Sequence, residues 1–299
     1  MVSIVLPTYN GAQFLKESID SVIKQTISDW ELIIVDDCST DQTPEIADFY
    51  STIDSRIRVI HNKDNKKLPA SLNIGFKNAN GDYLSWTSDD NYYYPQAIET
   101  MLDYLDANVS CPMVCAGMKV IDKNGIEVGD YEEYSPSGIY YDNSVGACFL
   151  YRREVLDTIG WYDESNFGIE DYEYWLRILR ECGDIEYIKD TLYAYRVHEK
   201  SLTTTRWRDI KYKLNRFRSI HFDEIFDHLS NNPELISGLY FDMVITDAVD
   251  DRMKGKFKKK LPHIDMFEGE LDDHKPVLLY GAGQFGDKAY ELVSENANA

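Results

Sequence analysis

The stretch Gly81-Asp82-Tyr83-Leu84-Ser85-Trp86-Thr87-Ser88-Asp89-Asp90-Asn91 combines a short apolar strand with an acidic pair at its end. The strand is predicted at residues 82–86, and the carboxylates of Asp89 and Asp90 follow its C-terminal edge. Open α/β sheets bind ligands at that edge, and carboxylate oxygens suit a divalent cation with a phosphate-bearing substrate. An ordinary turn, in which such side chains bond their own backbone, is the alternative.

Strands and helices alternate on the N-terminal side of this stretch. Apolar runs predict the strands, and apolar residues on one helical face, such as Leu15, Ile19 and Val22, predict the helices. The predicted strands are residues 2–6, 31–35, 56–61 and 82–86, and the predicted helices are residues 12–25, 44–50, 69–78 and 95–105. This alternation predicts a parallel sheet with helices on both faces.

The pattern changes after about residue 110. Residues 120–128 predict a hairpin around the Asn124-Gly125 turn, so an antiparallel section is added to the parallel half. Residues 206–253 are predicted to be mainly helical. The lysine-rich run at residues 254–260, followed by Leu261-Pro262, is predicted to be a linker.

A separate signal lies near the C-terminus. Residues 276–286 predict a strand, then Gly281-x-Gly283-x-x-Gly286 and a helix start, which is the local context of a dinucleotide-binding fingerprint. Only 24 residues run from Pro276 to Ala299, fewer than the roughly 30 of a βαβ unit. We therefore expect the opening of a Rossmann-like domain cut short, and we assign no cofactor to it.

The composition indicates a folded protein with no general affinity for nucleic acid. Of 299 residues, 43% are hydrophobic and 13% are aromatic, which excludes disorder as the main state. The 31 Lys and Arg against 52 Asp and Glu give a net charge of −21, so a polyanionic substrate must be met by a local metal or by local cations. Nucleic acid is therefore not expected as a partner.

Neither a targeting segment nor a disulfide framework is expected. The apolar run at residues 2–7 is too short for a signal peptide, and no later segment approaches the about 18 apolar residues of a membrane span, so we expect a cytoplasmic location. The five cysteines are odd in number and scattered, and Cys111-x-x-x-Cys115 lacks a second pair for a zinc site. Buried free thiols are expected instead.

Five motifs follow one another along residues 1–205. They are Pro7-Thr8-Tyr9-Asn10-Gly11, Val35-Asp36-Asp37-Cys38-Ser39-Thr40-Asp41, Ser88-Asp89-Asp90, Gly168-Ile169-Glu170-Asp171-Tyr172-Glu173-Tyr174-Trp175-Leu176-Arg177 and Tyr195-Arg196-Val197-His198. This ordered set resembles the inverting family-2 glycosyltransferases of the GT-A fold. The resemblance implies an α/β fold of GT-A type, with a mixed, mainly parallel sheet flanked by helices and a helical C-terminal extension. The implied domains are residues 1–205 for the glycosyltransferase part, 206–262 for a helical extension and linker, and 263–299 for the truncated Rossmann-like start.

The resemblance implies a nucleoside diphosphate-sugar donor, with a UDP-sugar expected. Tyr9 would offer an aromatic face to the base, and Asp37 would bond a uracil-type imide nitrogen. The implied nucleotide-binding residues are Pro7, Thr8, Tyr9, Asp37, Asn73 and Asp89. The alternatives are a plain strand-to-helix turn at residues 7–11 and an N-cap role for Asp37, whereas Asp36 is expected to be structural.

The resemblance also implies a Mg²⁺ or Mn²⁺ cofactor held by Asp90 and His198. The commonest family pattern has an extra aspartate where Thr87 or Ser88 stands here. One carboxylate, two phosphates and waters would therefore complete an octahedron around the ion. For a lone histidine such as His198, a satisfied side chain without a ligand role is the alternative.

On the acceptor side, the resemblance implies that Asp171 is the general base that takes the proton from the acceptor hydroxyl. The implied acceptor-binding residues are Trp161, Asp163 and Glu170. Two acids at a helix start are also ordinary dipole partners or caps, and a single Trp commonly packs in the core. Both roles of Asp171 are compatible, because a helix N-terminus holds a carboxylate rigidly.

The implied function is metal-dependent, inverting transfer of a sugar to a hydroxyl of a glycan or lipid-linked glycan, in surface polysaccharide synthesis. A nucleotidyltransferase is disfavoured, because no Gly-rich, Lys- or Arg-bearing phosphate loop follows the first strand. A catalytically inactive nucleotide-binding module is the other alternative. The lysine run at residues 254–260 is either a solvated linker or a weak peripheral docking site for the inner face of an anionic membrane.

Overall fold

The computed structural model describes residues 1–131 and 134–261. The chain divides into two compact units, Met1–Leu214 and a second unit that begins at Asn215. The domain limits predicted at residues 205 and 262 stay predictions. The glycine-rich fingerprint at residues 276–286 lies outside the described residues.

Within the described residues, nine strands form one mixed sheet. They are β1 (Val2–Thr8), β2 (Trp30–Asp36), β3 (Ile57–His61), β4 (Tyr83–Trp86), β5 (Tyr92–Tyr93), β6 (Met113–Ile121), β7 (Glu127–Asp130), β8 (Phe149–Arg152) and β9 (Ile185–Arg196). Their order is β3-β2-β1-β4-β8-β6-β9-β5, with β7 paired to β6. The first four strands are parallel, β8 is antiparallel to both of its neighbours, and β6 is parallel to β9.

The described residues also form eleven α-helices. They are α1 (Leu15–Ile23), α2 (Thr43–Ile53), α3 (Leu68–Lys77), α4 (Ala97–Ala107), α5 (Arg153–Ile159), α6 (Glu170–Glu181), α7 (Leu202–Thr205), α8 (Trp207–Ile220), α9 (Phe222–Leu229), α10 (Pro233–Ile245) and α11 (Asp251–Lys260). Two 3₁₀ turns lie at Gly138–Tyr140 and Glu164–Asn166. The predicted mixed α/β class with a helical C-terminal region is confirmed.

The centre of the sheet is buried on both faces. Every residue of β1 and of β2 is buried, as expected for parallel strands covered by helices on each side. Leu15, Ile19 and Val22 of α1 are fully buried, and their spacing places them on one helical face. The apolar periodicity thus fixes which face of α1 packs in the core.

The registers bring three loops to one edge of the sheet. Thr8 at the end of β1 pairs with Asp36 at the end of β2, and Val5 of β1 pairs with Trp86 at the end of β4. The carboxyl ends of these parallel strands therefore lie side by side. The loops that follow them carry the residues predicted to bind the nucleotide and the metal.

A short antiparallel strand completes this edge. β5 pairs with β9, with Tyr92 opposite Ala194. Continuing this register by two residues brings Arg196 opposite Asp90. The loop after β4 is thereby placed beside the segment after β9, which carries His198.

The side chain of Arg196 is only 2% exposed and joins four parts of the chain. Its Nε donates to the carbonyl oxygen of Asp90 at 2.9 Å, and its Nη1 donates to that of Asp122 at 3.1 Å. Its Nη2 forms an ion pair with Glu17 of α1, and its guanidinium carbon lies 4.5 Å from the centre of the Phe14 ring. A buried charge is tolerated only when it is paired and hydrogen-bonded, so losing any of these partners would be costly. The contacts of Arg196 therefore hold the loop after β4 in one place.

Two local predictions have different outcomes. The hairpin is confirmed, because β6 and β7 are antiparallel and Gly125 at their turn has a φ of +81°. The linker predicted at residues 254–260 is wrong, since these residues form the last turns of α11. Met253 and Phe257 are buried four positions apart, so an apolar face stabilises a helix that the lysines alone do not suggest.

All five cysteines lie in the described ranges and are free thiols. Cys111, Cys115 and Cys148 are buried as predicted, whereas Cys38 and Cys182 are partly exposed. Among the described helices, none combines the length and the apolar character that crossing a bilayer requires.

The contacts of Arg196 predict a large effect on stability. Arg196→Met leaves two carbonyl oxygens without their donor and removes the ion pair to Glu17, so we expect a loss of about 2–4 kcal/mol in the free energy of unfolding. Arg206→Met is the control, because the 42% exposed Arg206 side chain pairs with Asp209 at the surface and its loss should cost about 1 kcal/mol or less. Urea denaturation measures both, and equal losses would contradict a special role for Arg196.

Candidate functional site

A cleft of about 500 Å³ lies at the carboxyl edge of the sheet. Its walls come from the loops after β1, β2 and β4, from residues 65–71, and from the segment after β9. Seven predicted site residues line it: Pro7, Thr8, Tyr9, Asp37, Asp89, Asp90 and His198. The structure therefore brings together the residues predicted for the nucleotide and the metal, with the exception of Asn73.

The loop after β1 forms one wall of the cleft. The side chain of Tyr9 is 53% exposed, so its ring is available for stacking. Thr8 is buried, and its Oγ1 donates to Asp89 Oδ2 at 2.5 Å. Position 11 accommodates glycine in this arrangement, because a Cβ there would lie 2.0 Å from the same Asp89 oxygen.

Asp37 is held by three hydrogen bonds. Its Oδ1 accepts from the Asn62 side chain and from the backbone N–H of Lys66, both at 2.8 Å, and its Oδ2 accepts from the backbone N–H of Lys67 at 2.9 Å. These bonds hold Lys67 at a φ of +75°, which is uncommon for a residue other than glycine. Asp37 therefore makes no cap for α2, whose N-cap residue is Gln42, and instead orders the loop that leads into α3.

Asp36 has the structural role predicted for it. It is 2% exposed, its Oδ1 accepts from the backbone N–H of Ser39 at 3.0 Å, and its Oδ2 lies 2.8 Å from Nδ1 of His61. These contacts shape the turn after β2 and point the next residue, Asp37, into the cleft wall.

Both carboxyl groups of the acidic pair after β4 have raised pKa values. Burial and the neighbouring charge of Asp90 raise the pKa of Asp89 to about 7. Burial also raises the pKa of Asp90, although the hydrogen bond and charge of His198 oppose this. A cation placed between two adjacent carboxylates with raised pKa values stabilises their ionised forms.

His198 contacts Asp90 directly. Its Nε2 lies 3.0 Å from Asp90 Oδ2, and its Nδ1 accepts from the backbone N–H of Lys200 at 3.2 Å. Since Nδ1 accepts, the ring proton of neutral His198 is on Nε2 and points at Asp90. The geometry is that of a histidine that orients a carboxylate, and a direct bond from Nε2 to a metal would require the other tautomer.

The donor atoms at this edge suit Mg²⁺ or Mn²⁺. Within the described residues, no group of three or more His, Cys, Asp and Glu side chains is arranged to hold a metal by itself. Asp89 and Asp90 nevertheless supply the hard oxygen ligands that these ions prefer. The residues fit an ion whose remaining ligands are phosphate oxygens and waters, as Mg²⁺ commonly has.

A second acidic pair begins α6. Glu170 is 3% exposed and accepts from the backbone N–H of Gly168, and burial together with the charge of Asp171 raises its pKa to about 8. Asp171 is half-buried. Its Oδ2 accepts from Asn143 Nδ2 at 2.6 Å, and its Oδ1 accepts from the backbone N–H of Tyr172 at 2.8 Å. Its pKa is raised by burial, and these two hydrogen bonds oppose that shift.

The second acidic pair lies outside the cleft lining but shares a neighbour with the first. Burial raises the pKa of Tyr195, and the charges of both Asp90 and Asp171 raise it further. Tyr195 of β9 is therefore within electrostatic reach of both acidic sites.

Three other predicted residues do not line the cleft. Asn73 is buried and bonds the backbone of Tyr162 twice. Its Nδ2 donates to the Tyr162 carbonyl and its Oδ1 accepts from the Tyr162 N–H, both at 2.9 Å. Trp161 is 43% exposed, so the core alternative for it is wrong. The Asp163 carboxylate accepts from the backbone and side chain of Ser165 and thereby caps the second 3₁₀ turn.

Several residues at the site were not predicted. Lys67, Lys200 and Arg206 add cations to the cleft lining. Lys200 and Arg206 follow His198 closely, and this proximity was a usable signal. Asn143 lies 28 positions before Asp171, and no motif or periodicity links the two.

Solved structures share this fold. TarS 1–349 from S. aureus in complex with UDP-GlcNAc has a TM-score of 0.62 and 21% sequence identity, over 87% of this chain and 84% of that chain. The mannosyltransferase PcManGT from Pyrobaculum calidifontis, in complex with GDP-Man and Mn²⁺, has a TM-score of 0.60 and 16% identity, over 87% of this chain and 79% of that chain. This likeness confirms the predicted GT-A type of architecture.

Relatives in sequence carry glycosyltransferase names. The uncharacterized glycosyltransferase RT0329 of Rickettsia typhi is 33% identical over 217 residues, which are 69% of this chain and 66% of that protein. The putative teichuronic acid biosynthesis glycosyltransferase TuaG of Bacillus subtilis is 26% identical over 216 residues, which are 71% of this chain and 84% of that protein. The match spans between 30% and 66% of the length of the Rickettsia relatives. Residues 3–160, just over half of the chain, match the sequence model of glycosyl transferase family 2, and the chain belongs to this family.

Proposed function

We propose that this protein transfers a sugar from a nucleoside diphosphate-sugar, with a UDP-sugar as the donor, to a hydroxyl of a glycan, with inversion at the anomeric carbon. The observation that carries the proposal is the cleft itself. It gathers an exposed aromatic ring, Tyr9, and the acidic pair Asp89-Asp90 at the carboxyl edge of a parallel sheet. Family membership and the UDP-GlcNAc complex of TarS support the choice of donor.

In this proposal the donor lies along the cleft from the loop after β1 to His198. Tyr9 stacks on the base, Asp37 accepts from its imide nitrogen, and Pro7 and Thr8 shape the floor beneath. Asp89 faces the ribose and Asp90 would hold the cation, with His198 as a second ligand in the tautomer that carries its proton on Nδ1. The cation, Mg²⁺ or Mn²⁺, supplies positive charge that offsets the charge developing on the leaving diphosphate. The Mn²⁺ in the PcManGT complex supports a divalent ion at this fold.

Asp171 is the proposed general base. Its carboxylate accepts the proton of the acceptor hydroxyl, whose oxygen forms the new bond to the anomeric carbon as the bond to the diphosphate breaks on the opposite face. The electrostatic reach of both Asp171 and Asp90 to Tyr195 supports a reacting centre between the two acidic pairs. In this proposal Asp171 acts on the acceptor and Asp90 on the cation, so the two carboxylates have different tasks.

The remaining predicted residues serve the acceptor side and the loop beneath it. Trp161 offers an exposed ring to a sugar, and Asp163 and Glu170 are the other residues proposed for the acceptor side. Asn73 contributes to nucleotide binding indirectly, by fixing the backbone of Tyr162.

The acceptor in this proposal is a glycan or a lipid-linked glycan of surface polysaccharide synthesis, on the cytoplasmic side of the membrane. The name of TuaG supports this chemistry. In α11, Lys256 pairs with Asp223, whereas Lys258, Lys259 and Lys260 are exposed in the last turn. These exposed lysines support a weak, salt-sensitive attraction to an anionic membrane face.

A ligand screen tests the donor class. Thermal unfolding with UDP, GDP and their sugars, with and without Mn²⁺, should show the largest rise in midpoint for a UDP ligand with Mn²⁺, because a ligand selective for the folded state stabilises it. Release of UDP from the same sugars then separates an enzyme from a module that binds without turnover. A preference for GDP would contradict the proposed donor.

Substitution of the proposed metal ligand should remove metal-dependent binding. Asp90→Asn should abolish the Mn²⁺-dependent part of UDP affinity in calorimetry and leave the unfolding midpoint nearly unchanged, because the lost charge is local to the cleft. Asp157→Asn, an exposed residue on α5, is the matched control and should bind UDP with Mn²⁺ as before. Full Mn²⁺-dependent affinity in Asp90→Asn would rule out the ligand role.

Substitution of the proposed base should affect the chemical step alone. Asp171→Asn should lower kcat by about a hundredfold or more while UDP affinity stays nearly unchanged, because the amide cannot take the proton. A parallel loss of UDP affinity would identify Asp171 as a structural cap of α6 instead.

A further inference from the structure

We infer that Asn143 is a positioning residue that orients the Asp171 carboxylate and favours its ionised form, in which it can accept a proton. Because Asp171 is a base only in the proposed reaction, this inference rests on the proposed function. It adds a residue that neither a motif nor the family resemblance pointed to.

The contact is short and has one chemically sensible orientation. Asn143 Nδ2 lies 2.6 Å from Asp171 Oδ2. A carboxylate only accepts hydrogen bonds, so the amide must present its NH₂ group to it. The other carboxylate oxygen accepts from the backbone N–H of Tyr172 at 2.8 Å. Two donors from different segments, one on each oxygen, fix the plane of the carboxylate.

The segment that carries Asn143 is anchored independently of its amide. The hydroxyl of Tyr172 donates to the carbonyl of Tyr140 at 3.1 Å in a buried position. The hydroxyl of Tyr131 donates to the carbonyl of Asn143 at 3.3 Å, and the backbone N–H of Asn143 donates to Asp142 Oδ1 at 2.8 Å. Removing the Asn143 amide should therefore leave the segment against α6 and change only the contact to Asp171.

The groups that face Asp171 are mostly acidic. Burial raises its pKa, and the charge of Asp142 acts in the same direction. Glu170 precedes it on α6, and the phenols of Tyr162 and Tyr195 face it from outside the helix.

At this helix start, the positive charge of Lys213 lowers the pKa of Glu170, the residue before Asp171. Three N–H donors oppose the effect of burial on the pKa of Asp171: the backbone N–H groups of Tyr172 and of Asp171 itself, and the side chain of Asn143. Two of these donors are backbone groups and cannot be removed by substitution. The Asn143 side chain is therefore the adjustable one.

The direction of the expected pH effect depends on which form of Asp171 reacts. The ionised carboxylate is the active base, so activity falls as pH drops through the pKa of Asp171. Loss of the Asn143 donor removes stabilisation of the ionised form and raises that pKa. We expect a rise of about one pH unit, since a hydrogen bond to a charged group is typically worth at least that much.

The test measures the pKa of Asp171 directly in the full chain. Aspartate labelled with ¹³C at the side-chain carboxyl is titrated by NMR, and Asp171→Asn identifies the Asp171 signal. Asn143→Ala should raise the measured pKa by about one unit. Asn143→Asp, which keeps the shape of the side chain, should raise it further, because it places a second carboxylate against the first. It also replaces the alanine variant if that variant does not fold.

Asn124→Ala is the matched control. Its amide likewise donates to a carboxylate, that of Asp122, at 3.2 Å, but in the exposed hairpin turn, so the Asp171 signal should not move. In the wild type and Asn143→Ala, calorimetry with UDP and Mn²⁺ should give equal affinities. The acid limb of UDP release from the donor found in the screen should shift with the NMR value.

The outcomes separate the inference from the proposed function. An Asp171 pKa that stays unchanged in both Asn143 variants overturns the role of Asn143, whatever the rates are. A raised pKa with an unmoved pH–rate profile supports the Asn143 contact and removes Asp171 from the role of base. A raised pKa with a shifted acid limb supports both.

Discussion

The buried guanidinium of Arg196 is the interaction on which the arrangement of the cleft depends. It is the point where the parallel half of the sheet, the hairpin between β6 and β7, and α1 are tied together. Taking this charge out of water is costly unless its N–H groups are bonded, so the chain around it has little freedom. The carbonyl of Asp90 is one of those partners. The position of the neighbouring carboxylate is therefore set by an arginine that does not itself line the cleft.

Two acidic pairs differ because their surroundings differ. Asp89 and Asp90 face the cleft, where an external cation and a diphosphate can reach them, and His198 partly compensates one of them. Glu170 and Asp171 lie at the start of α6, where protein donors bond each of them. In the proposed function the first pair binds a positive ion and Asp171 of the second pair accepts a proton. The same residue type would then have distinct tasks because its surroundings differ.

The sequence predicted the parts of this protein that depend on local patterns. The parallel strands, the hairpin at Gly125 and the gathering of three loops at one edge all follow from periodicity and turn residues, which act over short distances along the chain. The contacts of Asn143 with Asp171, of Asn73 with Tyr162, and of Arg196 with Glu17 join residues far apart in sequence. No periodic signal encodes such pairs, because they exist only once the sheet has brought the segments together. The lysine run was misjudged for a related reason, since two buried apolar residues outweigh the local charge.

The hydrogen bonds of Asp37 have a consequence for how a base would be selected. A carboxylate offers about four acceptor positions, and the described residues Asn62, Lys66 and Lys67 use three of them. In the proposed role, a single position remains for the nucleobase. Uracil presents one imide N–H and would match it. Guanine presents an imino and an amino donor side by side, so one would go unmet, and the unprotonated N3 of cytosine would meet the carboxylate as a second acceptor. Asp37 would then select a base by the number of N–H donors that the base presents, because the carboxylate is held rigidly before the ligand binds.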